Sequence, residues 1–242
     1  MFRRLLTALG LGACLSAAPA DWKITTATTW NGHRSVSTEY YKGKLRRTDH
    51  TEGASVVDRE HGRQIVWSNS LRQYVVNRLH YAARIVAVTG PRILIEEDTA
   101  DTGERRKFFG HEARHLITRA TRGGAEESTT DGWYVDSPDL PRELRASSVY
   151  LLAANGQRPD IRVHRSGPAP SGLMVYGRKM SGTGTWTIEV TDLFEGILPD
   201  SAFQAPPGFT RVIEFPGDYP LPWTERLRRG WEMLEDWISG VV

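Results

Sequence analysis

The sequence predicts a mainly β fold of the α+β class, an antiparallel sheet with few helices that is followed by an amphipathic C-terminal helix. Turn-forming pairs recur at short intervals, which is typical of a meander of antiparallel strands. They are Asn31-Gly32, Glu52-Gly53, His61-Gly62, Asn69-Ser70, Gly90-Pro91, Thr102-Gly103, Gly123-Gly124 and Asp131-Gly132. The segments between them are rich in β-branched and aromatic residues, which favour strands.

Strands are predicted, in chain order, over Lys23–Trp30, Ser35–Tyr41, Ser55–Asp58, Gln64–Trp67, Gln73–Asn77, Arg92–Glu97, Arg114–Arg119, Ile161–Arg165, Leu173–Met180, Thr185–Asp192 and Thr210–Phe215. The adjacent carboxylates Glu96, Glu97 and Asp98 indicate a solvated strand end rather than a glycosidase pair, because neighbours on a strand point to opposite faces. Few helices are expected. Asp139 favours a helix that has Pro141 in its first turn and ends at Asn155-Gly156, and Pro199–Phe203 favours a single helical turn.

The C-terminal segment differs in kind from the rest of the chain. After a proline-rich break at Pro216–Pro222, one arc of a helix over Trp223–Val242 is apolar and the rest is charged. The apolar arc comprises Trp223, Leu227, Gly230, Leu234, Trp237, Ile238 and Val241, with Trp231 at its edge. The charged face is not predominantly basic, so docking on the sheet is favoured over contact with an anionic membrane, which stays open as the alternative through Trp223, Leu227, Trp231 and Trp237.

The first twenty residues have the pattern of a secretory signal peptide. Arg3 and Arg4 precede a short apolar run, and Ala18-Pro19-Ala20 gives the small-x-small cleavage pattern. The predicted organisation is therefore a signal peptide over residues 1–20, a β-rich domain over 21–215, and the break and helix over 216–242. A lipobox ending at Cys14 is a weaker alternative, in which the protein would be a lipoprotein anchored at that cysteine. Either way, we expect export to the periplasm or beyond.

Composition excludes several function classes. Removal of Arg3 and Arg4 lowers the count of Lys and Arg from 31 to 29, which equals the 29 acidic residues. A neutral chain does not attract phosphate backbones, so nucleic acid is not expected as a partner. The single cysteine, Cys14, lies in the leader, so the cleaved chain would have no disulfides and no cysteine-based metal site. We find no phosphate-binding glycine loop and expect no cofactor.

The segment His111-Glu112-Ala113-Arg114-His115 has the H-E-x-x-H pattern of zinc peptidases. On a helix, His111 and His115 would share a face and bind zinc, and Glu112 would activate a water molecule. Here the pattern follows Gly110 and continues into a β-favouring run, which predicts an extended chain instead. Zinc-dependent peptidase activity is therefore kept only as an alternative.

The stretch Asp131–Pro141 is the most distinctive in the chain, an aromatic strand ending at a proline corner. Trp133 and Tyr134 favour a role as anchors of the hydrophobic core. They are also the weak candidates for lining an apolar binding cleft.

Several short motifs, in order from about residue 22 to 215, resemble a group of exported bacterial domains of unknown function that is related to LolA-type periplasmic lipoprotein carriers. The motifs are Tyr40–Arg47, Ser55–Asp58, Gln73-Tyr74, Thr102–Ala113, Asp131–Pro141 and Phe203–Phe209. The resemblance implies a curved half-barrel sheet around an apolar cavity, and it assigns no catalytic residues. His111 departs from the aromatic residue usual at its position, and the tryptophan-rich tail lies outside the pattern.

These observations lead to three functional hypotheses. The first is an exported, non-enzymatic protein that binds a lipid, an acyl chain or a lipoprotein segment in a concave sheet. The second is the zinc peptidase, and the third is a structural or membrane-surface module of the envelope that acts through its tail helix.

Overall fold

The computed structural model describes residues 20–79, 92–136, 140–141 and 160–216, and positions 226, 227, 230, 231, 233 and 234. In this part of the chain, thirteen strands form one large, curved, open sheet. The strands are β1 (Asp21–Trp30), β2 (His33–Lys42), β3 (Leu45–His50), β4 (Gly53–Asp58), β5 (Arg63–Ser68), β6 (Gln73–Arg78), β7 (Arg92–Phe108), β8 (His111–Arg122), β9 (Ala125–Val135), β10 (Asp160–Ser166), β11 (Leu173–Ser181), β12 (Gly184–Gly196) and β13 (Thr210–Arg211).

Across the sheet the order is β10-β7-β8-β9-β11-β12-β1-β2-β3-β4-β5-β6-β13. Neighbouring strands are antiparallel except at the two ends, where β10 runs parallel to β7 and β13 runs parallel to β6. The mainly β class and the antiparallel sheet are confirmed. The helical turn expected at Pro199–Phe203 is present as a 3₁₀ helix over Asp200–Phe203.

Three local predictions were wrong. Thr102-Gly103 and Asp131-Gly132 were expected to be turns, but they lie inside β7 and β9. Thr102-Gly103 instead marks a register irregularity between Asp101 and Arg105. Gly132 is needed inside its strand because a β-carbon there would lie 2.9 Å from Cε2 of Tyr134.

The third concerns the acidic run Glu96–Asp98, which lies within β7 and pairs with β10 rather than ending a strand. Arg165 of β10 donates to Glu97 at 2.8 Å, and Ser166 donates to Asp98 at 2.7 Å. The last predicted strand is also shorter than expected, since β13 covers only Thr210–Arg211. The turn at Gly90-Pro91 and the helix expected from Asp139 to Asn155-Gly156 lie outside the described residues, apart from Leu140 and Pro141.

Two hydrophobic clusters lie on opposite faces of β2, since Tyr41 belongs to one and its neighbour Tyr40 packs against the other. The inner cluster consists of Trp22, Ile24, Tyr41, Ala113, Trp133, Val135, Leu140, Leu173, Val175 and Val190, with Phe108 and Leu193 packed against it. The outer cluster consists of Ala54, Val56, Trp67, Leu198 and Phe203, with Tyr40, Leu45, Ile65, Tyr74, Ala202 and Phe209 packed against it.

The inner cluster fills the inside of a strong bend in the sheet. β8 and β1 are four strand steps apart, which is about 19 Å along a flat sheet. Their side chains nevertheless meet, because the ring centroids of Trp22 and His111 are 5.7 Å apart. The bend begins where β11 and β12 separate: Leu173 and Met174 pair only with β9, and the segment Asp192–Gly196 pairs only with β1. The strongly bent sheet predicted from the resemblance is therefore confirmed.

The described tail positions Arg226, Leu227, Gly230, Trp231, Met233 and Leu234 are helical, as expected. Arg226 Nη2 lies 3.1 Å from Glu214 Oε1, and a β-carbon at Gly230 would lie 3.6 Å from Ile213 Cδ1. These contacts place the helix against the segment that follows β13. Trp223 and Trp237 lie outside the described residues. Among the helices that the structure describes, none is long and apolar enough to cross a membrane.

Candidate functional site

The H-E-x-x-H segment is the start of strand β8 and not a helix, as the preceding glycine and β-favouring continuation predicted. On a strand, His111 and His115 share one face but are about 13 Å apart along the backbone. Glu112 points to the opposite face. The segment therefore lacks the helical spacing with which a zinc peptidase brings two imidazoles to one ion.

The two histidines belong to separate groups of side chains. His111 Nε2 lies 3.7 Å from Glu195 Oε2, and its ring is tilted against Trp22. His115 Nε2 lies 2.6 Å from Asp131 Oδ1 and its Nδ1 is 3.1 Å from Thr102 Oγ1. Among the described residues, no group of three or more His, Cys, Asp or Glu side chains is placed to hold a metal ion.

Trp133 is the centre of the most developed side-chain group inside the bend. The His115 ring stacks on it with centroids 4.7 Å apart and an interplanar angle of 15°. The Phe108 ring lies 5.9 Å away, and the Arg106 guanidinium lies 5.0 Å from the Trp133 centroid and 6.0 Å from that of Phe108. We call Arg106, Phe108, His115, Asp131 and Trp133 the Trp133 site.

Strand register explains why these residues meet. Arg106 pairs with Ala113 and Phe108 pairs with His111, while His115 pairs with Trp133. Directly paired residues in an antiparallel sheet share a face. The β7–β8 hairpin thereby sets the guanidinium and the phenyl ring beside the indole.

Tyr134, the other aromatic residue singled out from the sequence, lies on the opposite face of β9. It packs over Gly132 and is only 7% exposed. Burial raises the pKa of the Tyr134 hydroxyl to about 12, with the negative charge of Glu97 acting in the same direction and Arg114 against it. Of the two candidates, only Trp133 faces the inner cluster.

Several side chains on the segments around the Trp133 site are exposed to solvent. Trp133 itself is 8% exposed, whereas Arg106 above it is exposed. Phe109, in the turn between β7 and β8, is 44% exposed. On the other side of the bend, Ile197 is 89% exposed and follows Glu195, the residue near His111. Large exposed apolar side chains thus lie on segments next to a buried aromatic group.

Sequence reasoning found Trp133 and His115 but missed Arg106, Phe108 and Asp131. Asp131 was interpreted as part of a turn, and no local pattern marks Arg106. The alternation Arg106–Phe108 on one strand is a weak signal, which becomes informative only when the register of β7, β8 and β9 is known.

No protein-family model matches this chain, and no curated protein matches it. Among solved structures it is similar to PNGF-II, at 12% identity and a TM-score of 0.34, over 80% of this chain and 31% of that one. It is similar to a chain of the Pseudomonas aeruginosa MucA/MucB complex, at 12% identity and a TM-score of 0.40, over 77% of this chain and 56% of that one.

A third similar structure is a LolA superfamily protein from Nitrosomonas europaea, at 8% identity and a TM-score of 0.27. The match covers 76% of this chain and 89% of that one. The chain thus spans less than two thirds of the first two matched chains and most of the third. The LolA type to which the sequence motifs pointed is among the folds that this chain resembles.

Proposed function

We propose that this protein is an exported, non-enzymatic envelope protein that binds a lipid, an acyl chain or a lipidated segment inside the bend of its sheet, beside Trp133. The observation that carries the proposal is the Trp133 site, an aromatic group of the inner cluster. The exposed side chain Arg106 lies over the Trp133 ring.

The energetics favour entry of an apolar chain at this point. An exposed cation–π contact such as that of Arg106 is worth about 0.5–1 kcal/mol. Each methylene group that leaves water gains about 0.8 kcal/mol. Burial of two or three methylenes against Trp133 and Phe108 would therefore outweigh the displacement of the arginine. The methylene stem of Arg106 would remain as a further apolar surface.

Export is part of the same proposal and is supported by the leader and by the position of β1. That strand begins at Asp21, the residue that follows the predicted cleavage site. The Asp21 carboxylate accepts a hydrogen bond from Leu198 N at 2.9 Å, and Lys42 Nζ lies 3.9 Å from it. We expect N-terminal sequencing of protein from the envelope to begin at Asp21, whereas a diacylated Cys14 would make the protein a lipoprotein.

The experiment that tests binding is mass spectrometry of an organic extract from protein purified under native conditions from its own envelope. We expect lipid or acyl chains in near-stoichiometric amount. Trp133→Leu should reduce this amount strongly. Trp67→Leu removes an equally buried indole from the outer cluster, so it serves as the control and should retain the lipid. An extract without lipid, or equal loss in both variants, would contradict the proposal.

A second candidate function, contact with a membrane surface through the tail helix, is favoured by two exposed residues. Leu227 is 63% exposed and Trp231 is 64% exposed. Tryptophan is common where an apolar surface meets lipid head groups. In a flotation assay, the wild-type protein should float with lipid vesicles. The double variant Leu227→Ser/Trp231→Ser should not float with them. If that double variant floats as well as the wild type, the helix is not a membrane contact.

A further inference from the structure

We infer that the ligand of the Trp133 site is an anionic amphiphile, and that Arg106 is the residue that recognises its carboxylate or phosphate head. This inference rests on the proposed function and deepens it. It starts from the position of one charged group at the end of an apolar surface.

The Arg106 guanidinium contacts aromatic rings and not an acidic side chain. In the described part of the chain, its contacts are with the rings of Phe108 and Trp133. A guanidinium that lies flat on a ring keeps its N–H groups directed outward at the edge of its plane. When a ligand chain takes its place on the rings, the guanidinium can donate a pair of hydrogen bonds to the carboxylate or phosphate oxygens of the head group.

Two acidic side chains near the Trp133 site have basic partners. Asp101 accepts two hydrogen bonds from Arg105, at 2.9 and 3.0 Å. Asp131 lies 2.6 Å from His115 Nε2. Within the part of the chain that the structure describes, Arg106 itself makes no ion pair, and it is exposed.

The geometry also fixes the polarity of the ligand. Phe108 and Trp133 lie on the inner side of Arg106, in contact with the inner cluster, while the guanidinium lies toward solvent. An amphiphile would place its tail against the rings and its head at Arg106. A neutral long-chain ligand would gain the same apolar contacts but would lack the charged hydrogen bonds.

The test compares three probes of equal chain length, dodecanoate, dodecyl phosphate and dodecan-1-ol, by calorimetric titration below their aggregation concentrations. We expect the wild-type protein to bind at least one of the anions about tenfold more tightly than the alcohol, which is the scale of one charged hydrogen-bond pair. Preference for dodecanoate would indicate a fatty-acid head, and preference for dodecyl phosphate would indicate a phospholipid-type head.

Arg106→Gln should remove the preference for the anion, so that the anions and the alcohol bind with similar affinity. Arg106→Lys should retain part of it, since lysine keeps the charge but not the paired donors. Arg105→Gln is the matched control, because Arg105 is adjacent, exposed and paired with Asp101. The Arg105→Gln variant should prefer the anions over the alcohol as strongly as the wild type does. Melting temperatures of all variants would show that they are folded.

The outcomes separate this inference from the proposed function. Equal affinity of the wild type for alcohol and anions, or an anion preference that survives Arg106→Gln, would overturn the role of Arg106 while apolar binding stands. Absence of binding by all three probes would overturn both.

Discussion

Two arginines in the described part of the chain, Arg47 and Arg106, lie over pairs of aromatic rings, and their surroundings differ. The Arg47 guanidinium is 4.9 Å from the ring of Tyr40 and 5.0 Å from that of Trp67, at the outer cluster. Arg106 makes the equivalent contacts with Phe108 and Trp133 at the inner cluster. The same arrangement of cation and rings thus occurs on both faces of the sheet.

The two arginines differ in the hydrogen-bond partners of their guanidinium groups. Arg47 donates to both oxygens of Asp49, at 2.5 and 2.9 Å, and to the carbonyl oxygen of Ala202 at 2.7 Å. It thereby fastens the segment that carries Phe203 over the outer cluster. Arg106 has no such carboxylate or carbonyl among the described residues and stays exposed. The chain itself completes the outer cluster, whereas we propose that a ligand completes the Trp133 site.

The largest expected effect tests whether the outer cluster is structural. Trp67 is 4% exposed and packs with Ala54 and Val56. Trp67→Ala should lower the free energy of unfolding by about 3–5 kcal/mol, the usual cost of emptying a buried tryptophan site. Urea unfolding measures this. A change below about 1 kcal/mol would show that the outer cluster does not hold the fold.

A smaller effect separates the two arginines. Arg47→Gln should cost about 1.5–3 kcal/mol, because it removes charged hydrogen bonds and leaves the Asp49 carboxylate without its guanidinium. Arg106→Gln should change stability by no more than about 0.5–1 kcal/mol, since only cation–π contacts are lost. Thermal melts of the two variants in the same buffer measure the difference. Equal destabilisation would remove the distinction between closed and open clusters.

Asp58, on strand β4, should contribute to the acid dependence of stability. Burial favours the neutral Asp58 carboxyl, but the His61 backbone N–H, the His61 ring and Arg63 together hold its pKa below the ordinary 3.8. Because the pKa is lowered on folding, this contribution is present above pH 3.8 and is lost as the pH falls through the folded value. Asp58→Asn should flatten that loss in unfolding curves measured between neutral and acidic pH. An unchanged acid slope in Asp58→Asn would contradict the assignment.

The smallest expected effect concerns Tyr134. Its pKa of about 12 lies above the ordinary 10.0, so folding is favoured below pH 10 and this contribution is lost as the pH rises toward 12. Ultraviolet difference titration should show one tyrosine that ionises near pH 12, and Tyr134→Phe should remove that step. Ionisation of Tyr134 near pH 10 would show that its side chain is open to solvent.

Local sequence pattern was sufficient to predict most strands but not the Trp133 site. Strands such as Gln64–Trp67 and Gln73–Asn77 were found because β-branched and aromatic residues mark them directly. The stacking of His115 on Trp133 depends instead on a strand register that pairs two residues eighteen positions apart in sequence, which no short motif encodes. Asp131-Gly132 was misread for the same reason, since the glycine serves the packing of Tyr134 rather than a turn.

The H-E-x-x-H segment shows the opposite case, in which a motif is present but its structural context is absent. The signal that decided it was also local. Gly110 and the β-favouring residues after His115 predicted a strand, and β8 confirmed that prediction. In the structure Gly110 lies in a turn with φ +84°.

We propose that the ligand binds inside the bend and not on the outer cluster or the tail. Photo-crosslinking can locate the bound ligand. A long-chain fatty acid carrying a diazirine would be bound to the full chain, irradiated and located by peptide mass spectrometry. We expect saturable labelling in peptides that contain Arg106–His115 and Asp131–Val135. Labelling confined to the segment over the outer cluster, Leu198–Phe209, or to the tail helix would contradict the proposal, as would labelling that does not saturate.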